Sequence, residues 1–166
     1  LALRLRGQEH DIRRIDVGGG LAIPYKEGDA PAAPSAYAAM IAEVTGNHGF
    51  EVILEPGRVI AGNAGVLLTT ALYEKQAPDR TFLIVDAGMN DLIRPALYGA
   101  HHDIVPLAEP AAGHPVKTYD VVGPICESTD KFAAGRSLPA VKPGDRLAFM
   151  SAGAYGAVLS SAYNAR

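Results

Sequence analysis

Two tight glycine corners stand out in the first third of the chain, Gly18-Gly19-Gly20 and Glu55-Pro56-Gly57-Arg58. Glycine lets backbone N–H groups approach an anion closely, and loops at the carboxyl ends of neighbouring parallel strands commonly form a phosphate site. Taken alone, the triplet serves equally well to turn a corner. It is not a dinucleotide fingerprint, because Ile23 stands where the last glycine would fall. A Walker loop, a His-Glu-x-x-His pair and a Gly-x-Ser-x-Gly elbow are all missing from the sequence.

Arg94-Pro95-Ala96-Leu97-Tyr98 begins a helix in which a guanidinium and a phenol, four residues apart, could project from one face and hold a carboxylate. A surface arginine beside a half-buried tyrosine is the plainer reading. Further on, Gly123-Pro124-Ile125-Cys126-Glu127-Ser128-Thr129-Asp130 sets a thiol among carboxylates, which favour the neutral, proton-donating form over the thiolate. Most lone cysteines are small core residues instead. Gly153-Ala154-Tyr155-Gly156 presents one tyrosine between small residues, as a ligand contact or a turn. No metal is expected at His101-His102, since adjacent side chains point apart and no ligand cluster accompanies them.

These groups need strands and helices to hold them. Ile12 to Val17 reads as a buried strand that stops at the glycine triplet, Ser35 to Val44 as a helix behind a serine N-cap, and Val52 to Leu54 as a second buried strand. Strand, helix, strand at this spacing is a parallel βαβ unit. After Gly65 the texture changes. Val66 to Tyr73, Thr81 to Asp86, Asp103 to Leu107, Val116 to Val122 and Arg146 to Met150 are strand-like runs between Gly, Pro and Asp punctuation, with one short helix near Pro95. They predict an antiparallel β-barrel or sandwich, with the boundary between Asn63 and Leu67. The fold class is therefore α/β plus all-β, with a first domain at 1–64 and a second at 65–166. A βαβ unit alone leaves its sheet edges bare, so a partner or a further N-terminal segment is expected to complete it.

Composition narrows the function classes. Of 166 residues, 18 are glycine and 12 proline, which argues against an all-helical bundle, while 48% are hydrophobic and can fill a core. The net charge of −3, without a dense basic block, argues against nucleic acid as a partner. No apolar run approaches the ~20 residues of a membrane span. The single cysteine leaves no disulfide within the chain, which fits a reducing cytoplasm.

In order along the chain, Asp16-Val17-Gly18-Gly19-Gly20-Leu21, Glu55-Pro56-Gly57-Arg58, Asp86-Ala87-Gly88-Met89-Asn90-Asp91, Arg94-Pro95-Ala96-Leu97-Tyr98, the Cys126-Glu127 segment and Gly153-Ala154-Tyr155-Gly156 resemble the diaminopimelate decarboxylases, fold-type III pyridoxal phosphate enzymes. The resemblance runs from about Ile12 to the last residue. It implies the C-terminal strands of a (β/α)8 barrel followed by a β domain, incomplete at both ends, in a homodimer with shared active sites. It also implies conversion of meso-2,6-diaminopimelate to L-lysine and CO2.

Carried onto this sequence, the resemblance puts pyridoxal 5'-phosphate against Gly18, Gly19, Gly20, Glu55, Pro56, Gly57 and Arg58, with Tyr155 close to cofactor and substrate. Arg58, Arg94 and Tyr98 would hold the carboxylate that is not lost, Glu127 the distal ammonium, and Cys126 the proton returned to the product. Thr129 replaces a glycine usual in the cysteine motif, and Ala22 one that commonly follows the leucine. The resemblance places the Schiff-base lysine upstream of Leu1, since Lys26, Lys75, Lys117, Lys131 and Lys142 match no such position. The 166 residues alone are therefore expected to be inactive. Related decarboxylases acting on arginine, ornithine or carboxynorspermidine, a non-catalytic homologue, and a simple phosphate-binding module are the competing readings.

Overall fold

The computed structural model describes residues 1–46 and 48–166. The chain forms two compact units, residues 1–24 with 28–60, and residues 25–27 with 61–166.

In the first unit, α1 (Ala2–Arg6) precedes β1 (Arg14–Asp16), α2 (Pro34–Thr45) and β2 (Glu51–Ile53). The two strands pair in parallel, with Ile15 opposite Val52, as a βαβ connection requires. The helix starts two residues earlier than a Ser35 N-cap would set it: Ala33 is its N-cap and Pro34 its first residue, where a missing N–H and a fixed φ cost nothing. Only Thr45 of α2 is buried, and Met40 and Val44 remain exposed, so this helix has an apolar side that its own unit does not cover. A short α3 (Gly57–Ala61) follows β2 directly.

The second unit is a single six-stranded sheet: β3 (Leu67–Gln76), β4 (Thr81–Val85), β5 (Ile104–Pro106), β6 (Val116–Val122), β7 (Lys131–Pro139) and β8 (Arg146–Phe149), in the order β5-β8-β3-β4-β6-β7. The two-residue alternation of the strands puts Leu83, Val85, Tyr119, Val121, Leu147 and Phe149 inside. The Phe132 and Phe149 rings meet at 4.3 Å.

One expectation needs correction. The sheet is mixed rather than antiparallel, because β4 and β6 run parallel, Leu83 opposite Val121. Of the two expected forms it is the barrel-like one: a single curled sheet, nearly closed, whose edge strands β5 and β7 come into contact. The parallel pair forces a long crossover from Val85 to Val116, which carries α4 (Arg94–Tyr98) and β5. No helix among the described residues is long and apolar enough to cross a membrane.

Candidate active site

In the first unit the two glycine corners lie side by side. The Glu55 N–H donates to the Gly18 carbonyl at 2.9 Å, and the Gly18 N–H donates to the Asp16 carboxylate at 2.7 Å. A Cβ on Gly19 would run into the backbone carbonyl of Glu55, so only glycine allows this approach. Gly18 and Gly20 both take positive φ, at 72° and 92°. Among the described residues, the Gly19 and Gly20 N–H groups have no acceptor within the protein. A pair of adjoining loops with unclaimed N–H donors fits a phosphate. Pro56 and Gly57 lead into α3, on which Arg58 is half-buried.

In the second unit, Arg94 and Tyr98 share α4 but not an environment. Arg94 is 8% exposed and Tyr98 66%. The arginine turns inward: its Nη1 lies 2.9 Å from Nε2 of His102, and its Cζ lies 4.7 Å from the centroid of the Tyr25 ring. Tyr25 in turn meets the His102 ring edge-on at 5.5 Å. The other imidazole nitrogen, Nδ1, is 2.8 Å from the Met150 carbonyl. Burial, reinforced by the positive charges of Arg94 and Arg136, outweighs the hydrogen bond to Met150 and holds the His102 pKa below its ordinary value, so the ring is neutral. Its neighbour His101 faces the other way and pairs with Asp103 at 2.7 Å, as adjacency predicts.

Cys126 and Glu127 lie on the loop between β6 and β7; the thiol is exposed and the glutamate half-exposed. The Thr129 N–H, helped by the hydroxyl and N–H of Ser128 and by Tyr163, holds the Glu127 carboxyl below the usual carboxylate range. Asp130 anchors this loop. Its carboxylate accepts the Ile125 N–H at 2.6 Å and the Met89 N–H at 2.7 Å, tying the cysteine loop to the Asp86–Asp91 loop. Tyr155 adopts a positive φ of 63° and is 42% exposed. It follows Gly153, whose missing side chain allows close contact with Ala61 and Gly65.

The structure thus brings the Gly18–Gly20 loop to Glu55, and the cysteine loop to Met89. Sequence reasoning missed Tyr25, His102 and Asp130. A histidine directly after the predicted helix and an aspartate closing the cysteine motif were the available signals, but burial and partner were not readable from them.

Residues 15–153 match the model of the pyridoxal-dependent decarboxylase C-terminal sheet domain. Over 161 residues the chain is 48% identical to a diaminopimelate decarboxylase of Zymomonas mobilis, covering 95% of this chain and 37% of that protein. It is 47% identical to that of Vibrio cholerae over 163 residues, covering 98% and 38%. The chain therefore spans less than two fifths of the length of these relatives. The crystal structure of Helicobacter pylori diaminopimelate decarboxylase complexed with L-lysine superposes with a TM-score of 0.89 at 40% identity, covering 98% of this chain and 40% of that one. By the extent of the family match, this chain belongs to the pyridoxal-dependent decarboxylases and carries their C-terminal sheet domain.

Proposed function

We propose that the protein carrying this chain decarboxylates meso-2,6-diaminopimelate to L-lysine and CO2. In this reading, residues 1–64 are the last strands of a (β/α)8 barrel and residues 65–166 a β domain. The uncovered apolar side of α2 supports further barrel elements packing there. The names of the relatives support the substrate.

Gly18, Gly19 and Gly20, with the turn Glu55-Pro56-Gly57-Arg58, would form the phosphate site of pyridoxal 5'-phosphate, the unclaimed N–H groups of Gly19 and Gly20 donating to it, and Tyr155 would contact cofactor and substrate. Bound there, the cofactor supplies the electron sink that makes loss of CO2 from an amino acid accessible. The protein's own tasks are orientation, charge matching and proton delivery. Arg58, Arg94 and Tyr98 would hold the retained carboxylate, and Glu127, kept ionised by its N–H donors, the ammonium beside it. Cys126, exposed at its loop tip, would give its Sγ proton to the carbon that lost CO2 and recover one from solvent. A homodimer in which that loop completes the partner's site fits the thiol's exposure, and a free thiol suits a cytoplasmic enzyme.

The single observation that carries the reading is Arg94: a buried guanidinium without a carboxylate partner among the described residues. Such a charge calls for an anionic ligand. Ornithine has no second carboxylate and would leave it unpaired. The test is CO2 release by the full-length holoenzyme from diaminopimelate, ornithine and arginine. A clear preference in kcat/KM for diaminopimelate, with stoichiometric lysine, is expected; preference for either monocarboxylate overturns the reading.

A further inference from the structure

Arg94 could have been held by an aspartate or glutamate, as most buried arginines are. Instead its Nη1 meets Nε2 of His102 at 2.9 Å. The Met150 carbonyl can only accept, so the proton of the imidazole sits on Nδ1, donated across 2.8 Å. Nε2 is then a lone pair and accepts from the guanidinium. His102 is 1% exposed, and Tyr25 packs against both its ring and the Arg94 guanidinium. A neutral acceptor has a particular merit here. It fixes the plane and direction of the guanidinium without neutralising it, and leaves Nε and Nη2 without a hydrogen bond among the described residues. A carboxylate in its place would fix the same geometry but cancel the charge the substrate needs.

We propose that His102 is a positioning residue for substrate recognition: its Nε2 lone pair, anchored through Nδ1 to Met150, aims the Arg94 fork at the carboxylate retained in the product. Tyr25 completes the clamp, its ring face under the guanidinium and the imidazole meeting it edge-on. The inference rests on the reading of Arg94 as the carboxylate holder, and extends it to a residue that touches no substrate atom.

Calorimetric titration of the full-length holoenzyme with L-lysine and with cadaverine, the same diamine without the carboxylate, separates the two ideas. If Arg94→Ala weakens both ligands equally, the reading of Arg94 fails whatever His102 does. If it weakens lysine alone, the His102 variants decide. His102→Leu should then weaken lysine by about tenfold or more, as a misaimed fork does, and leave cadaverine unchanged. His102→Gln, which restores an acceptor, should recover much of the loss, and His102→Asp should weaken lysine although it restores the contact. Equal weakening of both ligands in His102→Leu, or unchanged lysine affinity, overturns the proposal. Nitrogen-15 NMR of the wild-type imidazole stands independently of variant folding. Nδ1 should be protonated, Nε2 should be a lone pair, and Nε2 should shift on adding lysine but not cadaverine. An imidazolium spectrum at neutral pH, or equal shifts with both ligands, overturns it as well.

Discussion

One carboxylate oxygen of Asp130 receives the backbone N–H of Met89 at 2.7 Å, across 41 residues of sequence. The other receives the Ile125 N–H at 2.6 Å. Asp130 is 4% exposed, so these N–H groups have no water to fall back on. Asp130→Ala should destabilise the full-length protein by about 1–3 kcal/mol for each orphaned N–H, read from urea denaturation. Asp130→Asn, which keeps one acceptor oxygen, should lose about half as much. The kcat of both variants should fall, because the thiol loop is released with them. Unchanged stability in the alanine variant would refute the anchoring role.

Two aspartates pull the pH dependence of stability in opposite directions. At Asp86 burial raises the carboxyl, but the N–H of Thr70 and the hydroxyl of Thr69 outweigh it and leave the pKa below its ordinary value. Its contribution is therefore complete above the unfolded carboxylate pKa and disappears as pH falls through the lower folded value. At Asp130 burial prevails over the Ile125 and Met89 N–H groups, and the pKa is raised. Its contribution is complete below the unfolded value and fades as pH rises through the folded one. Urea midpoints measured from about pH 3 to 7 should show the acid-side fall flattened in Asp86→Asn and the fall on rising pH flattened in Asp130→Asn. Parallel curves for variants and wild type would contradict the assignment.

Gly19→Ala forces a methyl group into the Glu55 backbone carbonyl. We expect about 1–3 kcal/mol of strain in the double corner, and hence affinity for pyridoxal phosphate weakened by about 5- to 150-fold, followed by its absorbance on titration. Affinity unchanged from the wild type would remove the corner from the phosphate site.

Cys126→Ala should lower kcat by about 10²- to 10⁴-fold, the range for loss of a positioned proton donor, with little change in KM. The thiol is exposed, so melting should stay within about 0.5 kcal/mol of wild type. A kcat unaffected by the substitution would assign the proton elsewhere.

Much of this arrangement was legible because it is local. The glycine corners, the Arg94 to Tyr98 helix and the cysteine motif are each contiguous, and β6 spans Val116–Val122 as its β-branched residues predict. β7 was hidden by Ala133-Ala134-Gly135, a weak strand former, and by a left-handed turn at Gly135, φ 60°. What keeps it in the sheet is tertiary: the Gly135 N–H donates to the Asp120 carboxylate at 2.8 Å. The parallel pairing of β4 with β6 likewise depends on a crossover whose direction no local pattern records. His102 looked like half of a histidine pair because its partners, Tyr25, Arg94 and Met150, come from three separate stretches of chain.

The route between β4 and β6 has an evolutionary consequence. Parallel neighbours cannot be joined by a tight turn, so the stretch bearing Arg94, Tyr98 and His102 is obligatory wiring for the sheet and not an appended loop. Lineages that changed their preferred amino acid could not discard or shorten this excursion without disconnecting the domain. Divergence at this place would have proceeded by exchanging individual side chains on a retained path.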